Sequence, residues 1–226
     1  MVSTPIGNLA DMTYRAVHVL QNVDLIAAED TRKSSILLRH YQISTPMRSY
    51  HSYNLQKETP KLIHLLKQGQ AVALISDAGT PGISDPGYHL ARACIDQNIR
   101  IVPIPGPAAF LAALIASGLP SNRFVFEGFL PQKKGRKTRL EQLSHEERTI
   151  VFYESPHRIL KTTQQLLQIF GDRQVVMARE LTKKFEEFFR GRLSQLIQHL
   201  ENKTVKGEIV LIIEGISKRK KRDENK

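Results

Sequence analysis

The sequence has 226 residues, with 33 lysines and arginines against 22 acids, a formal charge of +11. Apolar residues make up 41% and charged residues 24%, enough to build a core, which excludes a wholly disordered chain. At roughly 100–200 residues per domain, the length means one large domain or two small ones. A single cysteine, Cys94, excludes an internal disulfide and any multi-cysteine zinc site. The histidines are scattered with no H-E-x-x-H spacing, so no metal is expected, and a reducing, cytoplasmic compartment fits. The opening MVSTPIGNLADM lacks the basic and apolar regions of a signal peptide.

In chain order, Met1–Thr4 reads as a stub of a strand leading into Thr4-Pro5-Ile6-Gly7-Asn8, as if the sequence begins inside that strand. Further strands are expected at Leu25–Ala28, Ala71–Ser76, Ile99–Ile104, Phe124–Glu127, Thr149–Tyr153, Gln174–Ala178 and Glu208–Ile213, where Val, Ile and Phe concentrate. Between them, amphipathic spacing predicts helices at Tyr14–Val23, Lys33–Tyr41, Thr59–Gln68, Tyr88–Asn98, Ala108–Ser117, Thr138–Ser144, Arg158–Phe170 and Ser194–Glu201. Strands alternating with helices predict an α/β protein with largely parallel or mixed sheets. The uncharged run from Ile101 to Asn122 is 22 residues long, but its prolines leave only Ala108–Ala116 continuously apolar. Nine residues cannot span a bilayer, so no membrane segment is expected. The turn-rich Ser117–Asn122 marks a boundary between domains at 1–117 and 118–216, with a flexible basic tail at 217–226.

Charge is unevenly placed. Met1–Ile115 carries a net +2, Ala116–Lys226 a net +9. Lys133, Lys134, Arg136, Lys137 and Arg139 cluster with no acid between them, the footprint of a polyanion such as RNA.

Three loops at expected strand ends are rich in glycine and proline: Thr4–Asn8, Asp77–Gly87 and Pro103–Ala109. In open α/β sheets, ligands bind at the carboxyl ends of strands. None of the three is a Walker A loop, because no G-K-[ST] follows, and none has G-x-G-x-x-G spacing. This disfavours a bound nucleoside triphosphate or NAD and leaves open a small polar cofactor. Polar clusters follow other strands: Glu29–Arg32, Tyr153–Arg158 and Arg179–Lys184. Structural ion pairs are one reading of Arg32, Glu154, Arg158 and Glu180; use at a reacting centre is the other.

Taken together, T-P-I-G-N-L at 4–9, A-E-D-T-R at 28–32, S-D-A-G-T-P-G-I-S-D-P-G at 76–87 and P-G-P-A-A at 105–109 resemble the tetrapyrrole-methylase-like (class III) S-adenosylmethionine-dependent methyltransferases. The match continues in S-G-L-P at 117–120, F-E-G-F-L-P at 126–131, F-Y-E-S-P-H-R at 152–158, A-R-E-L-T-K at 178–183 and G-E-I-V-L at 207–211. Within that family, the long Asp77 loop and Tyr153–Arg158 resemble the branch that 2′-O-methylates a cytidine ribose in 16S ribosomal RNA of the small subunit.

The resemblance implies two α/β domains with S-adenosylmethionine in the cleft between them, and a homodimer. It implies cofactor contacts from Pro5, Gly7, Asn8, Asp77, Gly79, Thr80, Pro81, Ser84, Asp85, Pro107, Ala108 and Ala109. From the second domain it implies Gly128, Phe129, Leu130, Tyr153, Ala178, Arg179, Glu180 and Gly207. A ribose hydroxyl is a weak acid, so a base or a cation near the developing alkoxide helps. Asp30, Arg32 and Glu154 are the candidates for the reacting end, with Lys183, Lys133 and Lys134 considered beside them. The basic cluster Lys133, Lys134, Arg136, Lys137 and Arg139 is assigned to RNA phosphate. Methylation of a small tetrapyrrole and a non-catalytic RNA-binding module are the competing readings; the first has no need of so basic a second half.

Overall fold

A computed structural model describes residues 1–216; the basic tail expected at 217–226 lies outside them. The chain divides into two compact units, Met1–Ala108 and a second that begins at Ala109.

In the first unit, a parallel sheet has the order β2 (Met47–Ser49), β1 (Leu25–Ala28), β3 (Val72–Ile75). Four helices surround it: α1 (Tyr14–Asn22), α2 (Thr31–His40), α3 (Leu55–Lys67) and α4 (Gly87–Asp96). The pleat of β1 divides its side chains between two cores. Ile26 and Ala28 pack with Ala16, Leu20 and Leu38 from α1 and α2. Leu25 and Ala27 pack with Leu62, Leu90 and Cys94 from α3 and α4. Burial on both faces is why β1 and β3 read as unbroken apolar runs rather than alternating ones, whereas β2, at the edge, is Met-Arg-Ser and half-buried.

Met1–Thr4 extends this sheet. The Val2 amide donates to the Leu74 carbonyl at 2.9 Å, and Val2 forms a parallel bridge with Ile104. The strand expected at Ile99–Ile104 shrinks to that bridge, with Ile104 N donating to Met1 O at 2.8 Å. Pro103 and Pro105 have no N–H to continue a ladder.

The second unit holds a mixed sheet, order β4 (Phe124–Phe129), β5 (Thr149–Glu154), β8 (Ile209–Ile213), β6 (Gln174–Arg179), β7 (Glu187–Arg192). Only β4 and β5 are parallel; the other pairs are antiparallel. Four helices complete it: α5 (Ala109–Ile115), α6 (Arg136–Ser144), α7 (Ile159–Phe170) and α8 (Leu193–Glu201). All five residues of β8 are buried; Ile209, Leu211 and Ile213 join Leu140, Leu166 and Leu196 in the main core. The α5 helix belongs here, not to the first unit, because Phe110 packs on Phe124 and Phe126 of β4 at centroid distances of 6.2 and 4.6 Å. The division therefore falls before α5, ahead of the expected boundary after Ser117.

Candidate active site

Within the first unit the three glycine–proline loops converge. Thr4 and Gly79 exchange both main-chain hydrogen bonds, at 2.9 and 3.0 Å. The Thr80 hydroxyl donates to the Pro107 carbonyl at 3.0 Å and lies 3.0 Å from the Ser3 hydroxyl. Gly106 packs so tightly that a Cβ there would sit 2.8 Å from the Ser3 Cβ. Pro5 and Pro81 are buried as part of this junction, whereas Gly7 and Asn8 are exposed, with Asn8 capping a short turn through Ala10 N.

The Asp77–Gly87 loop is folded by its own carboxylate. One oxygen of Asp85 accepts from both Gly82 N and Gly87 N at 2.7 Å. Ser84 is held at φ +61°, a conformation unfavourable to a side chain with a Cβ; such strain persists where surrounding structure imposes it. Pro107, Ala108 and Ala109 are half-buried at the third loop's end.

At the carboxyl ends of β1 and β3, carboxylates crowd. Asp77 accepts from Asp30 N at 3.0 Å and from Lys33 Nζ at 2.6 Å. Its own amide reaches Glu29 at 3.4 Å. Burial raises the Glu29 pKa, and the nearby negative charges of Asp77 and Asp85 raise it further, against the pull of the Asp77 amide and Lys33. Asp30 is the opposite case. Its carboxylate caps α2 through Arg32 N and takes two hydrogen bonds from the Arg32 guanidinium, at 3.0 and 2.8 Å. These bonds hold its pKa well below the usual carboxylate range.

In the second unit Glu154 ends β5, and its side chain is 1% exposed. One oxygen takes Arg158 at 2.7 Å and Ser155 N at 2.7 Å. The other takes the Thr162 hydroxyl at 2.7 Å, with Arg136 at 3.7 Å. Through these partners Glu154 ties the end of β5 to Arg136 at the start of α6 and to Arg158 and Thr162 at the start of α7. It also withdraws Arg136 from the exposed part of the basic cluster. That side chain is 10% exposed and is spent on Glu154, Gln165, Thr162 and the Pro131 carbonyl. Arg139 is held by Glu127 through two hydrogen bonds. Lys133, Lys134 and Lys137 remain exposed, Lys137 with Glu141 at 3.8 Å.

Gly128 sits at φ +61° beside the irregularity in the β4–β5 register, followed by exposed Phe129 and buried Leu130. Tyr153 packs between Phe126 and Phe129, and burial raises its phenol pKa. Ala178 is buried in β6; Arg179 is fixed by Glu187 and the Lys206 carbonyl. Glu180, at φ +50°, crosses directly over Gly207 and accepts from Glu208 N. A Cβ at Gly207, which sits at φ +91°, would lie 2.3 Å from the Glu180 carboxyl carbon, so a side chain there would be strained and would push the Glu180 carboxylate aside. Lys183 bonds Glu180 at 2.8 Å and Glu208 at 3.0 Å. Burial pulls its pKa down, but these two carboxylates outweigh that and leave it raised, which keeps it protonated and unsuited to act as a base.

Sequence reasoning passes over Ser3 and Glu29. Glu29 adjoins Asp30 in the A-E-D-T-R motif, but only the fold shows that it faces Asp77. Among the described residues no cluster of metal-ligating side chains occurs, and no helix is long and apolar enough to cross a membrane.

The chain belongs to the tetrapyrrole (corrin/porphyrin) methylase family, whose model matches residues 1–197. The "Ribosomal RNA small subunit methyltransferase I" of Synechocystis is 54% identical over 217 residues, covering 95% of this chain and 78% of that protein. The protein of the same name from Thermotoga maritima is 48% identical over 215 residues, covering 95% and 97%. Among solved structures, the uroporphyrin-III C-methyltransferase of Thermus thermophilus, crystallised with S-adenyl homocysteine, has a TM-score of 0.65 at 16% identity, covering 94% of this chain and 95% of that one.

Proposed function

We propose that this chain transfers a methyl group from S-adenosylmethionine to the ribose 2′-OH of a cytidine in 16S ribosomal RNA, acting in the cytoplasm as a homodimer. The observation that carries the reading is the 54% identity, over 95% of the chain, to a relative named for the small-subunit ribosomal RNA.

The residues present fit the donor. The Ser76–Gly87 segment contains no lysine or arginine to hold a phosphate, while the carboxylates of Asp77 and Asp85 act on Glu29, whose pKa burial raises first and these two charges raise further, with the Lys33 cation opposing them there. That negative field suits a ligand bearing an ammonium and a sulfonium. When bound, the donor supplies an electrophilic methyl group on a positively charged sulfur. Pro5, Gly7, Asn8, Asp77, Gly79, Thr80, Pro81, Ser84, Asp85, Pro107 and Ala108 of the first unit would hold it. Positioning is the main contribution, because well-oriented reactants can gain roughly 7–11 kcal/mol in ideal cases. Asp30 orients the exposed Arg32 guanidinium, which steadies negative charge developing on the ribose oxygen. Glu29, with its raised pKa, is better matched than Asp30 to accept the proton.

Lys133, Lys134 and Lys137 hold RNA phosphate. Each phosphate contact adds about 0.7 to the log–log salt slope for single strands. Filter binding of small-subunit RNA across a salt series should therefore give a steep slope, reduced by about 1.4 in the Lys133→Ala, Lys134→Ala double variant. A flat slope in the wild type, as a small tetrapyrrole acceptor would give, would overturn the RNA reading.

A further inference from the structure

A cavity of about 540 Å³ opens beside β4 and α6, lined by Glu127, Phe129, Leu130, Pro131, Arg139 and Gln142 among others. Its size lies within the range of small-molecule sites, roughly 300–1,000 Å³. We propose that it is a base-reading subsite for one unstacked RNA nucleotide whose base presents an amino donor beside a ring acceptor, that is, cytosine, adenine or guanine but not uracil. The inference rests on the RNA-substrate reading above and deepens it.

Three features of the wall carry the argument. First, the Phe129 ring is 56% exposed yet backed by Tyr153, 5.5 Å away between centroids, and behind that by Phe126. An exposed aromatic ring braced from behind is a stacking platform for a base. Second, Glu127 and Arg139 present an acceptor beside a donor. The Glu127 side chain is 10% exposed, takes both Arg139 hydrogen bonds, and has lone pairs left for a base amino group. Arg139 also donates to Gln142 Oε1 at 3.2 Å, which fixes the guanidinium plane. A carboxylate accepting from an exocyclic amine with a guanidinium donating to the adjacent ring atom fits cytosine, adenine or guanine, the three bases that carry an amine. Uracil would set a carbonyl against the carboxylate. Third, the Pro131–Gly135 edge of the cavity carries Lys133 and Lys134, both exposed, where they meet the phosphates flanking a stacked base.

Fluorescence anisotropy with oligo(C), oligo(A) and oligo(U) RNA tests this. The wild-type chain should bind oligo(C) and oligo(A) about tenfold more tightly than oligo(U). Gln142→Trp fills the cavity and should abolish that preference while leaving the salt slope and S-adenosylhomocysteine affinity unchanged. Thr138→Phe, on the same wall, is the second cavity-filling variant should the first fail to fold. Equal wild-type affinity for all three oligonucleotides, or a preference that survives cavity filling, overturns the subsite but leaves the RNA reading standing. Failure to bind any RNA, with donor binding intact, overturns both.

Discussion

Glu154→Ala is expected to destabilise the second unit by about 3–5 kcal/mol, the range for breaking a buried ion pair from one side. The carboxylate holds three pieces of backbone together: the end of β5, the start of α6 through Arg136, and the first turns of α7 through Arg158 and Thr162. Its removal leaves two guanidinium groups, 10% and 27% exposed, without their counter-charge. Apolar truncation also takes away the acceptor of the Thr162 hydroxyl and of the Ser155 amide. Urea unfolding followed by circular dichroism would read the loss. A variant of native stability that has lost only turnover would contradict the positioning role and restore Glu154 to the reacting end.

Gly106→Val is expected to weaken S-adenosylhomocysteine binding by about ten- to a hundredfold. The added Cβ would lie 2.8 Å from that of Ser3, a residue whose amide is bonded to Ile104 and which cannot retreat without breaking the sheet. Relief must come from the Pro105–Ala108 segment, whose displacement breaks the Thr80–Pro107 hydrogen bond joining two of the loops. Overpacking of this kind costs about 1–3 kcal/mol, and each 1.4 kcal/mol is about tenfold in affinity. Isothermal titration measures the change. Wild-type affinity in this variant would mean that the loop junction does not shape the donor site.

The parts of the fold legible in the sequence were those set by local chemistry. Leu25–Ala28 and Val72–Ile75 stand out because burial on both faces makes them continuously apolar. Helix starts such as Tyr14 are announced by a capping residue, here Thr13. What failed depended on partners distant in sequence. Ile99–Ile104 has strand composition, but its prolines leave one bridge, to Val2. Glu187–Arg192 has a glycine and three charged residues, and it becomes a strand only by pairing along β6. The α5 helix is apolar enough to join either unit, and the Phe110 contacts with β4 decide it.

The site divides in the same way. The loops were visible as glycine and proline motifs, and their convergence follows from strand order. Charge was less legible, because a lysine or arginine in a basic run carries no mark of which way it points. Arg136 sits among exposed lysines in sequence and turns inward to Glu154 in space. Glu29 and Asp30 are adjacent, yet burial among carboxylates raises one pKa while a guanidinium and a helix start lower the other.

The most direct measurement is to incubate small ribosomal subunits lacking the modification with the purified chain and methyl-labelled S-adenosylmethionine, then map the label. Label at one cytidine of the 16S RNA, on a ribose that resists alkaline cleavage at that position, is the predicted result. Donor binding with no label entering the RNA would contradict the account and point to a different methyl acceptor.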